Sequence, residues 1–177
     1  MRLKILVFLA LAFSGCFAHA DNAITFSPGL PKPWVLLSSQ LLPGTNTVTH
    51  DTFADNITVL RDTTNLTTML ISVAPAAAAQ TTSNLTSDAG NWVHSVISRF
   101  GENLNVVISR LDLKTENKKT FAEEAFTIQL QDTSLFGICR YEIANSNAIR
   151  WVAFGADAGI ETNKTVLKIA GSIRVRK

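Results

Sequence analysis

Cysteine is nearly absent from this chain: among 177 residues only Cys16 and Cys139 occur. That excludes a scaffold built on disulfides. Histidine is as scarce, with His19, His50 and His94, and no two of them share the spacing of a metal site. There is no Gly-x-Ser-x-Gly elbow, no phosphate-cradling glycine loop and no dinucleotide fingerprint. An excess of one charge is lacking as well. The 16 Lys+Arg against 14 Asp+Glu give +2, and that excess belongs to Arg2 and Lys4. From residue 21 onward the chain holds 14 of each. A neutral body excludes a protein whose main task is gripping nucleic acid, and equally a disordered polyelectrolyte. No apolar run is long enough to span a bilayer, the most sustained being Ile5 to Phe13.

That run is part of an ordered N-terminal pattern. Arg2 and Lys4 form a basic region, ILVFLALAF an apolar one, and Ala18-His19-Ala20 places small residues where a signal peptidase needs them. The pattern predicts cleavage between Ala20 and Asp21, a single domain over 21–177, and a periplasmic or secreted location. A second route competes with it. Phe13-Ser14-Gly15-Cys16 resembles a bacterial lipobox with Phe13 in place of the usual Leu, which would make Cys16 the lipidated first residue. After cleavage at Ala20, Cys139 stands alone, so the fold must rest on its core. A domain of this length buries roughly 70% of its unfolded surface.

The mature chain opens with turn formers, Pro28, Gly29, Pro31, Pro33 and Pro43-Gly44. Between them Trp34 to Leu37 reads as a short strand that starts after Pro33 or lies on an edge. Thr47–Phe53 and Ile57–Leu60 read as a hairpin turning through Ala54-Asp55-Asn56. Thr67–Val73 is apolar enough to be buried on both faces, and 74–83 reads as a linking loop. The clearest helix follows over 87–101: Ala89, Trp92, Val93, Val96, Ile97, Phe100 and Leu104 make one stripe, with Ser87 as N-cap and Gly101 as C-cap. Four antiparallel strands come next. Asn105–Leu113 carries Val107, Leu111 and Leu113 on one face, and Phe126–Gln131 alternates as a sheet with one wet face would. Leu135–Ile143 and Ile149–Gly155 are joined by a hairpin loop. A last amphipathic helix starts near Thr162, buries Val166, Ile169, Ala170 and Ile173, and is ended by Gly171 before a short docked tail.

This order of elements resembles the PsbP-like fold, shared by the photosystem extrinsic protein and by envelope lipoproteins of the DcrB type. The residues that carry the resemblance are Pro31-Lys32-Pro33-Trp34, the helix at 87–101, and the stretch from Lys119 to Val175. That stretch contains Ala122-Glu-Glu-Ala-Phe126, Cys139-Arg-Tyr141 and Trp151-Val-Ala-Phe154. The resemblance implies an α+β sandwich: a mainly antiparallel sheet covered by a long central helix and a C-terminal helix. It implies a binding or assembly module, usually without catalysis, and transfers no catalytic residue; the residues themselves point to no cofactor or metal.

The candidate sites are sparse. Trp34, with Arg174, Arg176 and Lys177 at the basic C-terminus, offers contacts for an envelope or host protein, or for a lipid or other apolar ligand. Trp92 and Trp151 read with Trp34 as core anchors. The competing reading is a small secreted hydrolase using Cys139, or Glu123 and Glu124, with His50 or His94. Against it, Cys139 sits mid-strand among apolar residues, and Glu123-Glu124 reads as a solvent-exposed pair pointing apart. Asn56, Asn65, Asn84 and Asn163 begin sequons that a bacterial chain leaves unused.

Overall fold

A computed structural model describes residues 24–45, 52–76, 84–97, 104–116, 118–144 and 146–175. The N-terminal segment with Cys16 and the Ala20–Asp21 junction lies outside these residues, as do His50, Gly101, Arg176 and Lys177.

Among the described residues nine strands and two helices follow in the order β1 (Ile24–Phe26), β2 (Trp34–Thr45), β3 (Thr52–Asp62), β4 (Thr68–Pro75), α1 (Leu85–Ile97), β5 (Asn105–Glu116), β6 (Lys119–Gln129), β7 (Ser134–Ala144), β8 (Asn147–Gly155), α2 (Lys164–Ser172) and β9 (Ile173–Val175). Seven strands form one sheet in the order β2-β3-β4-β8-β7-β6-β5, and every ladder is antiparallel. The chain leaves β4, passes along α1 to the far edge at β5, and returns by hairpins to β8 beside β4. A short 3-10 turn (Ile160–Thr162) leads into α2, and β9 then pairs with β1 as a separate two-stranded ribbon.

The sheet is covered on both sides because its strands carry apolar residues at both parities. On one face Trp92, Val93, Val96 and Ile97 of α1 pack on Phe126, Ile128, Cys139, Val152 and Phe154, all at most 5% exposed. On the other, Val166 and Ile169 of α2 close over Trp34, Leu60, Met69, Ile71, Ile138 and Trp151. Each large side chain so buried contributes roughly 1.5–3 kcal/mol. The tryptophans are core anchors, as expected, and β4 is buried on both faces. Asn163 caps α2, its Oδ1 accepting from the amides of Thr165 (3.0 Å) and Val166 (3.2 Å).

Several local expectations are corrected. Residues 52–62 form one strand, and Ala54, Asp55 and Asn56 pair with Pro43, Leu42 and Leu41. A long partner strand thus overrides the turn preference of Asp-Asn. That partner, β2, runs through Pro43-Gly44, which an edge strand tolerates because the proline's missing N–H costs no ladder bond on the open side. It begins at Trp34, directly after Pro33, as its sequence demanded. Helix α1 starts at Leu85, two residues before the expected cap, and Ser87 Oγ donates instead to the Asn84 carbonyl (3.0 Å). The expected alternation from Phe126 to Gln131 holds, with Phe126 and Ile128 buried and Gln129 and Gln131 exposed, but upstream, from Phe121 to Phe126, β6 is buried on both faces. In β5 a bulge between Ile108 and Arg110 inserts a residue, so Val107 faces away from Leu111 and Leu113. All three are exposed (42%, 39% and 51%), not packed under the helix.

Candidate functional site: two buried carboxylates and two open sheet edges

Glu123 and Glu124 are neighbours in β6, and the pleat sends them to opposite faces, as the sequence implied. The expected exposure fails for both: they are 4% and 0% exposed. β6 is an inner strand; α1 packs over the Glu124 face, and side chains of β5 and β7 close over the Glu123 face.

On the α2 side Glu123 is surrounded by cations brought from the flanking strands. Arg110 of β5 donates to Oε1 (3.1 Å), Lys114 of β5 to the same oxygen, and Arg140 of β7 to Oε2 (2.8 Å). Arg110 also reaches Asp112 (3.0 Å) and Glu161 (2.9 Å). The Arg140 guanidinium lies 3.7 Å above the Phe121 ring and 5.7 Å from that of Trp151. Burial alone would push the Glu123 carboxyl up, but the hydrogen bonds and charges of Lys114 and Arg140 reverse this and hold it below its usual value. Three cations and three carboxylates balance. The cluster is therefore an ion network in which the buried Glu123 is fixed by its three cations, while Arg110, Asp112 and Lys114 keep a partly exposed side.

Glu124 has no such company. It lies beneath α1, where a Cβ at Gly90 would sit 3.4 Å from Oε2, and neither carboxylate oxygen has a hydrogen-bond partner. Burial pushes its pKa up to about 7. Cys139 is its cross-strand neighbour and is fully buried. Burial raises the thiol well above its ordinary value, and the Glu124 and Glu123 carboxylates add to the effect against an opposing Arg150. A thiol raised this way is the reverse of an activated nucleophile.

His94 is exposed on α1. Among the described residues no histidine hydrogen-bonds or ion-pairs with Cys139, Glu123 or Glu124, and no group of three or more His, Cys, Asp or Glu side chains could hold a metal. The hydrolase residues are thus not brought together there. Trp34 is 5% exposed inside the core. Beside it on the β2 edge, Val35, Leu36 and Leu37 are 40%, 45% and 51% exposed. Arg174 is exposed, and its Nη1 donates to the carbonyls of Gly171 (2.9 Å) and Ile173 (2.7 Å) at the end of α2.

No family model and no curated protein matches the sequence. A solved structure does match: the solution structure of cyanobacterial PsbP (CyanoP) from Synechocystis sp. PCC 6803. It is 12% identical, with 90% of this chain and 91% of that chain covered, at a TM-score of 0.62. The architecture is PsbP-like. At this identity the likeness describes the α+β sandwich and its element order. Within the PsbP-like frame, sequence reasoning missed Arg110, Lys114 and Arg140 as one group, because they converge only through the register of β5, β6 and β7. It also missed the open edges. The alternation Arg110-Leu-Asp-Leu-Lys-Thr-Glu116 was the available signal, since charged residues alternating with apolar ones suit a half-covered edge strand.

Proposed function

We propose that this chain is an exported, non-catalytic binding or assembly module of the bacterial envelope or the secreted fraction, acting on a protein partner. One observation carries the reading. The chemistry-bearing side chains are inside, with Glu123 held by three cations and Cys139 sealed, while the sheet presents apolar side chains outward at its edges. Side chains of this kind recognise a partner by shape and apolar contact. The PsbP-like fold supports the same reading, and so does the N-terminal pattern ending at Ala20. The Val35–Leu37 edge is the contact region we assign, in place of the buried Trp34. The basic end at Arg174, Arg176 and Lys177 supplies a second, electrostatic contact. A lipid between α1 and the sheet is the weaker variant, since that interface is filled by side chains at most 5% exposed. No helix among the described residues is long and apolar enough to cross a membrane.

A photo-crosslinking side chain at Leu37, compared with one at Lys168 on the exposed side of α2, tests the partner reading in producing cells. The reading requires an adduct of defined mass from position 37 that is absent from position 168. Equal adducts at both, or none, would sink it. The mass of the mature N-terminus decides the processing route: Asp21 first supports peptidase cleavage, and a diacylated Cys16 supports the lipoprotein route of the DcrB type.

A further inference from the structure

β5 is the terminal strand of the sheet, so one side of its backbone faces no neighbour within the sheet. The bulge between Ile108 and Arg110 ends its regular part at one side, and the hairpin pair Glu116–Lys119 ends it at the other. What remains is a regularly paired, seven-residue edge from Arg110 to Glu116, with Leu113 at its middle. Leu111 and Leu113 are 39% and 51% exposed on one face. Arg110, Asp112, Lys114 and Glu116 lie on the other, alternating in sign.

We infer that this edge pairs antiparallel with the same edge of a second copy, about a two-fold axis through Leu113, joining two seven-stranded sheets into one. The register follows from symmetry and charge. A two-fold axis normal to the sheet keeps each face on its own side, so only registers centred on a residue place opposing side chains together. Centring on Asp112 sets Asp112 against itself and Arg110 against Lys114, which repels. Centring on Lys114 sets Lys114 against itself and Asp112 against Glu116, which repels again. Centring on Leu111 carries the ladder across the bulge. Centring on Leu113 pairs Arg110 with Glu116 and Asp112 with Lys114, each twice by symmetry, and sets Leu113 against Leu113 with Leu111 diagonal to it. It is also the only centre that uses the whole regular edge. Glu116 has no ion-pair partner within the described residues and gains one in this register. Leu111 and Leu113 stay uncovered on this edge, and Arg110 and Lys114, although they hold Glu123, remain 40% and 36% exposed beside it.

The inference stands apart from the partner reading, which uses the opposite edge at β2. Its test is sedimentation velocity on the full-length gene product purified in its natively processed form, up to about 500 μM, a range that captures weak dimers. Wild type forms a dimer. D112K alone or K114D alone sets like charges opposite each other twice and weakens the dimer about tenfold or more. An equimolar mixture of the two variants regains it, because the introduced lysine of one faces the introduced aspartate of the other. Circular dichroism checks that each variant is folded. Should either swap unfold, cysteine substitutions decide: oxidised L113C cross-links to itself, since residues opposite each other lie about 4.5–5.5 Å apart, whereas L111C, displaced from the axis, does not. A wild type that stays monomeric throughout, swaps that leave the dimer unchanged, a mixture that fails to restore it, or equal cross-linking at 111 and 113 overturns the inference.

Discussion

Replacing Glu124 by glutamine should make the protein more stable at pH 8 and much less so at pH 5. Both oxygens of Glu124 are buried without a partner, and burial raises its pKa from 4.5 to about 7. The folded state therefore holds the proton more tightly than the unfolded chain across that window. With more protons bound in the folded state, stability falls as pH rises from about 4.5 through 7, then levels off. The shift corresponds to about 3 kcal/mol between the two ends of the window. The amide is uncharged throughout and of nearly the same shape, so E124Q removes this loss. Urea unfolding of wild type and E124Q at pH 5, 6, 7 and 8 measures it as a difference that cancels most other titrations. The expected gap in unfolding free energy is about 1 kcal/mol at pH 5 and grows to about 3 kcal/mol in favour of the variant by pH 8. Asp88 in α1 is also raised by burial, against the charge of Arg150, and its titration belongs to both proteins. A gap that stays flat across the four pH values would refute the argument, because it would mean that Glu124 does not change its charge between pH 5 and 8.

The neighbouring residue behaves oppositely. Glu123 is held below its usual value, so its contribution is present above the unfolded pKa and lost as pH falls through the folded one; E123Q in urea at pH 7 should cost about 3 kcal/mol by leaving Arg140 and its companions without their shared carboxylate. Gly137 lies against the Phe126 ring, and an added Cβ would fall 2.2 Å from Cζ. Gly137→Ala should therefore lower stability by about 2 kcal/mol, checked by its urea midpoint, while the double variant with Phe126→Leu recovers part of the loss. Cys139 should stay unreactive to a thiol reagent in the native protein and react at once in denaturant; rapid native labelling would contradict its burial.

What the sequence made legible was whatever depends on a period or on a single residue's geometry. The stripe Ala89, Trp92, Val93, Val96, Ile97 located α1, because only a helix brings those positions to one face. Pro33 located the start of β2, because proline cannot donate to a ladder. The sites hidden from it depend on partners distant in the chain. Nothing around Ser109 announces a bulge, yet one extra residue reverses the facing of Leu111 and Leu113 relative to Val107. Nothing around Glu123 announces that Arg110, Lys114 and Arg140 arrive beside it. An adjacent acidic pair is ordinarily solvated, and only the three-layer packing makes this pair an exception.

The ribbon of β1 and β9 has a consequence for how the molecule is made. Ile24, Thr25 and Phe26 find their partners in Val175, Arg174 and Ile173, and Ser27 N–H donates to the Ser172 carbonyl (3.1 Å). A ribosome delivers Ile24 before, and Val175 after, every strand of the seven-stranded sheet. That sheet can assemble from neighbours as they emerge, apart from the β4–β8 ladder, but β1 waits for β9. The ribbon thus acts as a clasp that shuts only after the sheet has been made, and a product truncated before Ile173 leaves Ile24 and Phe26 without their ladder partners.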